Sequence, residues 1–402
     1  MPSELAGQWD LDPAITFLNH GSFGACPRAV LDAQDRYRAR MEAQPVQFLA
    51  RDLRGLLAIA RRDLGEFIGA DPDDLAFVAN ATGAVNAVVR SLRFEPGDEL
   101  LTTDHEYNAI LNTLREVARR DGAKVVIAAI PFPLRDPAEA VEAIRSAITP
   151  RTRLATVSHI TSPTGIVLPI ADIVRELEGR GIATVVDAAH TPGMLPLDVD
   201  GLGASYWVGN GHKWLCAPKG ASILWVRRDL RDRIHPLVTS HGANDPGTER
   251  TRFRAEFDWP GTVDPSPYLS LPAAIRFGAE LLPGGWPALM AANHDLAIRG
   301  RDLLCDRLGV NAPAPDEMIG AMATVPLNLP LDDDAVASFR DVLAEEDLIE
   351  VPIVAWPVPG AREGGFGGRP KSTWVRISVQ QYNTLDDVER LADALVKRLP
   401  SR

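Results

Sequence analysis

The stretch GNGHKWLCAPKG occupies Gly209–Gly220 and sets Lys213 between a glycine-rich run and an apolar run. A lysine removed from water has a lowered pKa and can form a Schiff base with an aldehyde. Taken alone, this stretch would favour a partly exposed structural lysine by a wide margin. Upstream, the stretch VVDAAHTPG (Val185–Gly193) ends a hydrophobic run in Asp187. The carboxyl ends of parallel strands are where such sheets bind ligands, so the two stretches together indicate one site.

Asp187 has two interpretations from the residues alone. It can cap the turn that follows its strand, or it can hold a pyridinium nitrogen in its protonated form. Thr82 and Gly83 lie where another apolar run turns into a predicted helix. This turn has two interpretations: its backbone N–H groups can bind an anion, or it can be an ordinary helix N-cap. The chain has no G-x-x-x-x-G-K-[ST] motif, and its first strand is not followed by G-x-G-x-x-G.

Between about Asp71 and Arg228, short apolar runs alternate with amphipathic stretches. Strands are predicted at LAFVA (Leu75–Ala79), DELLTTD (Asp98–Asp104), KVVIAAI (Lys124–Ile130), RLATVSHI (Arg153–Ile160), ATVVDAAH (Ala183–His190), ASYWVGN and ASILWVR, the last as an added strand. Apolar strands separated by helices are typical of a mostly parallel sheet covered on both faces, so we predict an α/β fold.

From Pro265 onward, helical stretches dominate and short strands are interleaved, as in GAMATVPLNL and TWVRISVQ. This pattern predicts a smaller α+β domain at the C-terminal end. Within it, GGFGG at Gly364–Gly368 predicts a flexible loop.

Composition narrows the class of protein. The 402 residues include 42 Lys and Arg against 54 Asp and Glu, a net charge of −12, which argues against nucleic acid or a polybasic membrane anchor as partner. Three separated cysteines (Cys26, Cys216, Cys305) argue against a disulfide framework or a zinc site. MPSELAGQWD lacks the features of a signal peptide, and no apolar run reaches about 18 residues, so we expect a cytoplasmic, metal-free protein with no membrane contact.

These features together resemble the class V aminotransferases, a family of fold-type-I pyridoxal-phosphate enzymes, and in particular their isopenicillin N epimerase-like branch. The resemblance lies in LNHGSFGACPRAVLDAQ (Leu18–Gln34), NATGAVN (Asn80–Asn86), DHEYNAI (Asp104–Ile110), SHITSPTG (Ser158–Gly165), VVDAAHTPG, GNGHKWLCAPKG, FDWPGTVD (Phe257–Asp264) and VRISVQQYNT (Val375–Thr384). It implies a seven-stranded large domain at residues 31–264, a small domain at 265–402, and an N-terminal segment, residues 1–30, over the active site.

The resemblance also implies roles for single residues, with pyridoxal 5'-phosphate as cofactor. Lys213 resembles the lysine that bonds the cofactor and moves protons, Asp187 the partner of the ring nitrogen, and His190 a group near the ring hydroxyl. The implied cofactor-binding set is Ala81, Thr82, Gly83, Tyr107, Ser162, Asp187, His190, Asn210, His212, Lys213 and Thr262. Tyr107 would stack on the ring, and Thr262 would reach the phosphate of a neighbouring subunit, which predicts a homodimer.

On the substrate side, Arg376 resembles the clamp on the α-carboxylate of an amino acid, a task that suits a guanidinium fork. Asn19, His20 and Ser22 resemble the segment that folds over the substrate. His20 has two interpretations, a second acid/base or a hydrogen-bonded structural histidine.

The sequence motifs identify the cofactor more narrowly than they identify the reaction. Cysteine desulfurases of this family carry a nucleophilic cysteine on a loop shortly before the carboxylate-binding arginine, but AREGGFGGRPKSTWVR contains none. We therefore expect an epimerase, with a cysteine-S-conjugate C–S lyase and a class V aminotransferase as alternatives. Two other classes of protein are disfavoured. A cofactor-binding regulator would carry a basic helix-turn-helix segment, and a nicotinamide dehydrogenase would carry a glycine fingerprint, but this chain has neither.

Overall fold

A computed structural model describes residues 3–245, 251–327, 329, 333–357 and 372–399. The strands are β1 (Thr16–Phe17), β2 (Leu75–Val78), β3 (Glu99–Thr103), β4 (Lys124–Ala128), β5 (Thr152–Ser158), β6 (Ala183–Ala188), β7 (Tyr206–Asn210), β8 (Ser222–Val226), β9 (Met322–Pro326), β10 (Ile349–Glu350), β11 (Ile353–Trp356) and β12 (Ser372–Ser378). The α-helices are α1 (His20–Phe23), α2 (Arg28–Ala43), α3 (Leu53–Ile68), α4 (Ala81–Ser91), α5 (Asn108–Asp121), α6 (Pro137–Ala147), α7 (Ile170–Glu178), α8 (Arg252–Phe257), α9 (Ser266–Leu269), α10 (Leu271–Leu281), α11 (Gly285–Leu308), α12 (Asp333–Glu345) and α13 (Leu385–Arg398).

A seven-stranded sheet in the order β2-β8-β7-β6-β5-β3-β4 forms the centre of the chain. Its strands are parallel except for β8, which runs antiparallel to both of its neighbours. All residues of β7 and β8 are buried, as expected for strands covered by helices on both faces. The predicted α/β fold with a mostly parallel sheet is confirmed, and each predicted strand agrees with an observed one to within a few residues.

The antiparallel strand β8 determines where Lys213 lies. In the β7–β8 ladder Asn210 pairs with Ser222, so the loop 211–221 begins and ends at the carboxyl end of β7. The neighbouring β6 is parallel to β7 with Ala188 opposite Gly209. Because β6 and β7 end side by side, the loop that carries Lys213 stands directly beside Asp187.

The C-terminal part contains a three-stranded antiparallel sheet, β11-β12-β9, with α11 and α13 packed together and α12 near β11. This agrees with the predicted mixture of helices and short strands, although β11 was not predicted. Helix α13 begins with a reciprocal capping box between Thr384 and Asp387, which satisfies N–H groups at its first turn. The loop Gly364–Gly368 lies outside the described residues.

A short parallel pair joins the two ends of the described chain. Thr16 of β1 pairs with Ile349 of β10, and Asn19 forms an isolated bridge with Ser378. These contacts hold the N-terminal segment against the C-terminal sheet. Within the described residues, no helix is both long and apolar enough to cross a bilayer.

Candidate active site

A cavity of about 430 Å³ opens at the carboxyl ends of β5, β6 and β7. Eleven of the predicted residues line it, namely Ser22, Ala81, Thr82, Tyr107, Ser162, Asp187, His190, Asn210, His212, Lys213 and Arg376. Gly83, Asn19, His20 and Thr262 do not line it. Parallel sheets bind ligands at this edge because their strand-to-helix loops converge there.

Lys213 is half-buried, and its Nζ lies 3.1 Å from His190 Nε2. Burial lowers the pKa of Lys213 to about 7, the Arg376 guanidinium acts in the same direction, and the Asp187 carboxylate opposes the shift. A lysine with such a pKa is substantially unprotonated at neutral pH, as a nucleophilic amine must be.

His190 is buried and its ring is held from both sides. Trp214 Nε1 donates a 3.4 Å hydrogen bond to His190 Nδ1, so the neutral ring carries its proton on Nε2 and donates it to the Lys213 amine. Burial, followed by the charge of Lys213, holds the pKa of His190 well below its usual range, which keeps the ring neutral. Trp214 gave no signal beyond that of a core residue, yet it assigns the tautomer of His190.

Two glycines allow other segments to approach the backbone around Lys213. Gly24 has φ +69° and Gly193 has φ +89°, and a Cβ on either would overlap the backbone of residues 212–215. His20 Nε2 also lies 3.1 Å from the Lys213 carbonyl oxygen, and Lys219 Nζ donates a 2.8 Å hydrogen bond to the Gly24 carbonyl oxygen. The N-terminal segment thus packs against the backbone of the loop that carries Lys213.

Asp187 is the penultimate residue of β6, its side chain is buried, and its Oδ1 accepts a 3.0 Å hydrogen bond from Ala189 N–H. Burial raises the pKa of Asp187, while the Ala189 N–H and the positive charge of Lys213 lower it. This carboxylate therefore lies in a dry environment beside the cavity, where a cationic group of a ligand would compensate its charge.

A second buried carboxyl, Glu106, lies close to Asp187 and was not predicted. Its Oε1 accepts hydrogen bonds from Tyr107 N–H (2.7 Å) and Ser158 Oγ (2.8 Å), and Ser158 pairs with Asp187 in the β5–β6 register. The letters DHEYNAI begin with three polar side chains in succession, a pattern that gives no sign that all three are buried.

One end of the cavity offers polar groups for an anion. Asn80 caps α4, and its Oδ1 accepts from Gly83 N–H at 2.7 Å, while Asn210 Oδ1 accepts from Ala81 N–H at 2.9 Å. Between them, the Thr82 N–H has no acceptor among the described residues. His212 Nδ1 lies 3.2 Å from the Ala221 carbonyl oxygen, and burial lowers its pKa to about 4. Asn80 is a further pocket residue that was not predicted.

Arg376 lies on β12 with 4% of its surface exposed. Its Nη1 donates to the Ser162 carbonyl oxygen and its Nη2 donates to Ser22 Oγ at 3.4 Å, while its Nε is buried without a partner among the described residues. Burial lowers the pKa of Arg376 to about 10, which leaves it charged at neutral pH. No described carboxylate forms an ion pair with this guanidinium, so a carboxylate from a ligand would complete its coordination.

Three predicted residues outside the cavity lining, Asn19, His20 and Thr262, have different surroundings. Asn19 supports the site from outside, since its Oδ1 accepts from Ser22 Oγ (2.6 Å) and its Nδ2 donates to Glu350 (2.9 Å). His20 is fully buried against Tyr382 and the lysine loop, which agrees with the structural interpretation. Thr262 is exposed away from the cavity of its own chain.

The comparison with known families decides the assignment. The model for class V aminotransferases, described as "Aminotransferase class-V", matches residues 17–316. The chain belongs to the class V aminotransferase family. Family membership confirms that the chain is an enzyme and that its cofactor is pyridoxal 5'-phosphate, as the resemblance implied.

Relatives of this class V enzyme include an epimerase and a desulfhydrase. It is 38% identical to an isopenicillin N epimerase of Streptomyces clavuligerus over 98% of this chain and 97% of that protein. It is 32% identical to an L-cysteine desulfhydrase of Arabidopsis thaliana over 95% of this chain and 87% of that protein. The cysteine desulfurase CsdA of Escherichia coli shares the fold with a TM-score of 0.79 at 22% identity, covering 99% and 98% of the chains.

The residues of this class V enzyme fit the cofactor. Lys213 supplies an unprotonated amine for the aldehyde. Among the described residues, buried Asp187 has no ion-pair partner and the Thr82 N–H has no acceptor, and both residues line the same cavity. These three groups are spread along one cavity of sufficient volume, so the aldehyde, ring nitrogen and phosphate each have a complementary group.

Proposed function

We propose that the enzyme epimerises an amino acid at Cα. The observation that carries the proposal is the partly buried Lys213 amine, with a pKa near 7, in one cavity with a carboxylate-binding arginine. Such an amine can take a proton from Cα and return it. The preference for epimerisation over other outcomes rests on the 38% identity to an isopenicillin N epimerase along nearly the whole chain.

In this proposal, each side chain has one task. The bound cofactor supplies an electron-withdrawing ring for the electrons left at Cα. Arg376 binds the α-carboxylate and so orients the bond to be broken, Lys213 holds or moves the Cα proton, and Asp187 keeps negative charge at the ring nitrogen. His190 donates its Nε2 proton to the Lys213 amine, and Nε2 cannot act as a base while Trp214 donates to Nδ1.

Inversion also needs a proton donor on the face opposite Lys213. Tyr107 lines the cavity with 48% of its surface exposed, so its phenol is available to a bound substrate. His20 is a poorer candidate, because it is fully buried with its ring nitrogens at Tyr382 Oη (2.9 Å) and the Lys213 carbonyl. We infer that Tyr107 is the second donor.

A C–S lyase is the second candidate, favoured by the similarity to an L-cysteine desulfhydrase. Such a lyase expels a thiolate from Cβ after the same Cα deprotonation and needs no cysteine nucleophile. A persulfide-forming reaction is disfavoured because burial raises the pKa of each thiol, to about 12 for Cys26, about 11 for Cys305 and higher still for Cys216. Transamination is the third candidate.

The deciding experiment incubates the holoenzyme with L-amino acids and cysteine S-conjugates in D₂O. An epimerase gives the D-enantiomer with deuterium at Cα, a lyase gives pyruvate, ammonia and a thiol, and an aminotransferase gives the amine form of the cofactor. Tyr107→Phe refines the test, since an epimerase would keep Cα–H exchange from one enantiomer but lose interconversion. Pyruvate formation without any D-enantiomer would overturn the proposal in favour of the lyase.

We further propose a homodimer and a cytoplasmic location. Thr262 and Val263 are exposed at a turn. The apolar side chain of Val263 has 47% of its surface exposed, which suits contact with a second copy of the chain. The three cysteines are free thiols, as is usual in a reducing compartment.

A further inference from the structure

Glu106 is a buried acid to which the proposed reaction assigns no task. It is 2% exposed, and it follows β3 at the same edge of the sheet where Asp187 lies near the end of β6. Buried acids are rare unless they are paired. Among the described residues no lysine, arginine or histidine lies within ion-pair distance of Glu106, so its burial is not compensated by a cation.

The hydrogen bonds of Glu106 distinguish its two oxygens. Oε1 accepts from both Tyr107 N–H and Ser158 Oγ, whereas Oε2 is buried and makes no hydrogen bond of ordinary geometry. The Thr102 hydroxyl is also buried and lies close to Glu106, where its influence lowers the pKa of the carboxyl. A negative charge on Oε2 would therefore be buried without a cation to compensate it, and protonation of Oε2 removes that cost.

Two buried carboxyls that are close together cannot both be charged at low cost. Asp187 accepts a hydrogen bond from the Ala189 N–H and faces the cavity, where a cationic group of a ligand can compensate its charge. Glu106 does not line the cavity and feels the negative charge of Asp187. Burial first, and the charge of Asp187 second, raise the pKa of Glu106 well above its usual range, and they outweigh its hydrogen bonds, which lower it.

We propose that Glu106 is a positioning residue that stays protonated in the resting enzyme, so that Asp187 alone supplies negative charge to the ring nitrogen. The neutral acid fixes the Tyr107 backbone, which sets the phenol at the ring face, and it fixes Ser158 beside Asp187. It thereby orders the ring-binding end of the site without adding a second charge there.

Infrared spectroscopy of the holoenzyme tests the protonation directly. At neutral pH we expect a protonated-carboxyl C=O band that shifts on H/D exchange, that is absent in Glu106→Gln, and that remains in Glu116→Gln, which changes a surface acid. Ser158→Ala should move this band to higher frequency, because one donor to the carbonyl oxygen is lost. Absence of the band from the wild-type enzyme, or its persistence in Glu106→Gln, would overturn the proposal.

The cofactor absorbance provides a second, independent readout. Because glutamine is neutral and can accept the same two hydrogen bonds, Glu106→Gln should titrate like wild type, whereas Glu106→Leu should bind the cofactor at least tenfold more weakly. A shift of about one pH unit or more in the Glu106→Gln titration would mean that a negative charge had been removed, and would contradict the neutral acid. Both measurements require only the bound cofactor, so they remain decisive whichever reaction the enzyme catalyses.

Discussion

Lys213 Nζ and His190 Nε2 lie 3.1 Å apart, and the histidine is the donor of the hydrogen bond that joins them. The direction follows from Trp214, which occupies the other ring nitrogen with its indole N–H. A lysine that accepts a hydrogen bond must be unprotonated, so the contact and the lowered pKa of Lys213 describe the same state. The structure therefore holds the amine ready for an aldehyde before any cofactor arrives.

Lys213→Ala should abolish turnover and the covalent bond to the cofactor, because it removes the amine. Borohydride reduction of the wild-type holoenzyme, followed by peptide mapping, should label Lys213. The matched control is Lys219→Ala, which removes a nearby lysine whose Nζ binds the Gly24 carbonyl oxygen. A label on Lys219 in the wild-type protein would refute the assignment.

The pH dependence of cofactor attachment should report the pKa of Lys213. Only the unprotonated amine attacks the aldehyde, so the attachment rate should fall about tenfold per pH unit below about 7 and level off above it. Arg376→Ala should move this midpoint upward, because the guanidinium charge helps to lower the pKa. Stopped-flow mixing of apoprotein with pyridoxal 5'-phosphate measures both. A rate still rising steeply between pH 8 and 10 in the wild-type protein would indicate an ordinary lysine.

Arg376→Ala should leave cofactor binding intact and raise KM for amino-acid substrates. Loss of the clamp leaves the substrate carboxylate unpaired, which costs roughly 2–5 kcal/mol, or about 30-fold to several thousand-fold in KM. Arg376→Lys should recover only part of the loss, because a point charge cannot replace the fork. A near-normal KM would assign the carboxylate to Arg362 or Arg369, the next candidates from sequence, both of which lie outside the described residues.

Mixing two inactive variants tests whether Thr262 completes the site of a neighbouring subunit. In a mixed dimer of Lys213→Ala and Thr262→Glu, one site would have both mutations and the other neither. Random reassembly should therefore restore about a quarter of wild-type activity, since half of the dimers are mixed and each has one intact site. Thr262→Glu is expected to be inactive alone because its charge repels the cofactor phosphate. If the mixture stays inactive although sedimentation shows mixed dimers, Thr262 acts within its own chain.

Acid should destabilise the apoprotein through its buried neutral histidines. Burial lowers the pKa of His20 to about 3, and that of His190 also lies well below its usual range. The unfolded state binds these protons below about pH 6.5 and the folded state does not, so stability is lost as pH falls. Between pH 7.5 and 5.5 each histidine should remove about 1.4 kcal/mol from the free energy of unfolding. Urea titrations should show a smaller loss for His20→Gln and an unchanged loss for His241→Gln, which alters an exposed residue.

Sequence reasoning located the centre of the site because its signals are local. Lys213 and Asp187 lie in stretches whose glycines and apolar runs specify strand ends and turns, and these are short-range properties. Glu106 and Trp214 were missed because their roles depend on what the folded chain brings next to them. A glutamate between a histidine and a tyrosine looks exposed, and an indole in an apolar run looks like core, until Ser158 and His190 are in place.

The two-residue strands β1 and β10 were beyond prediction for a similar reason. Such strands carry no periodicity, and their pairing joins Thr16 to Ile349 across most of the chain. The short side chains of Asn19 and Ser22 likewise gave no sign of the link that they form between Glu350 and Arg376.

The pairing of β1 with β10 has a consequence for synthesis on the ribosome. The central sheet can form once residues through Val226 have emerged, but the segment that packs against the Lys213 loop is anchored to strands that are translated last. The nascent chain therefore carries a formed sheet with an unfinished catalytic pocket while most of the residues after Val226 are being made. Contacts so distant in sequence form slowly, so the gain of activity should lag behind the appearance of secondary structure during both translation and refolding.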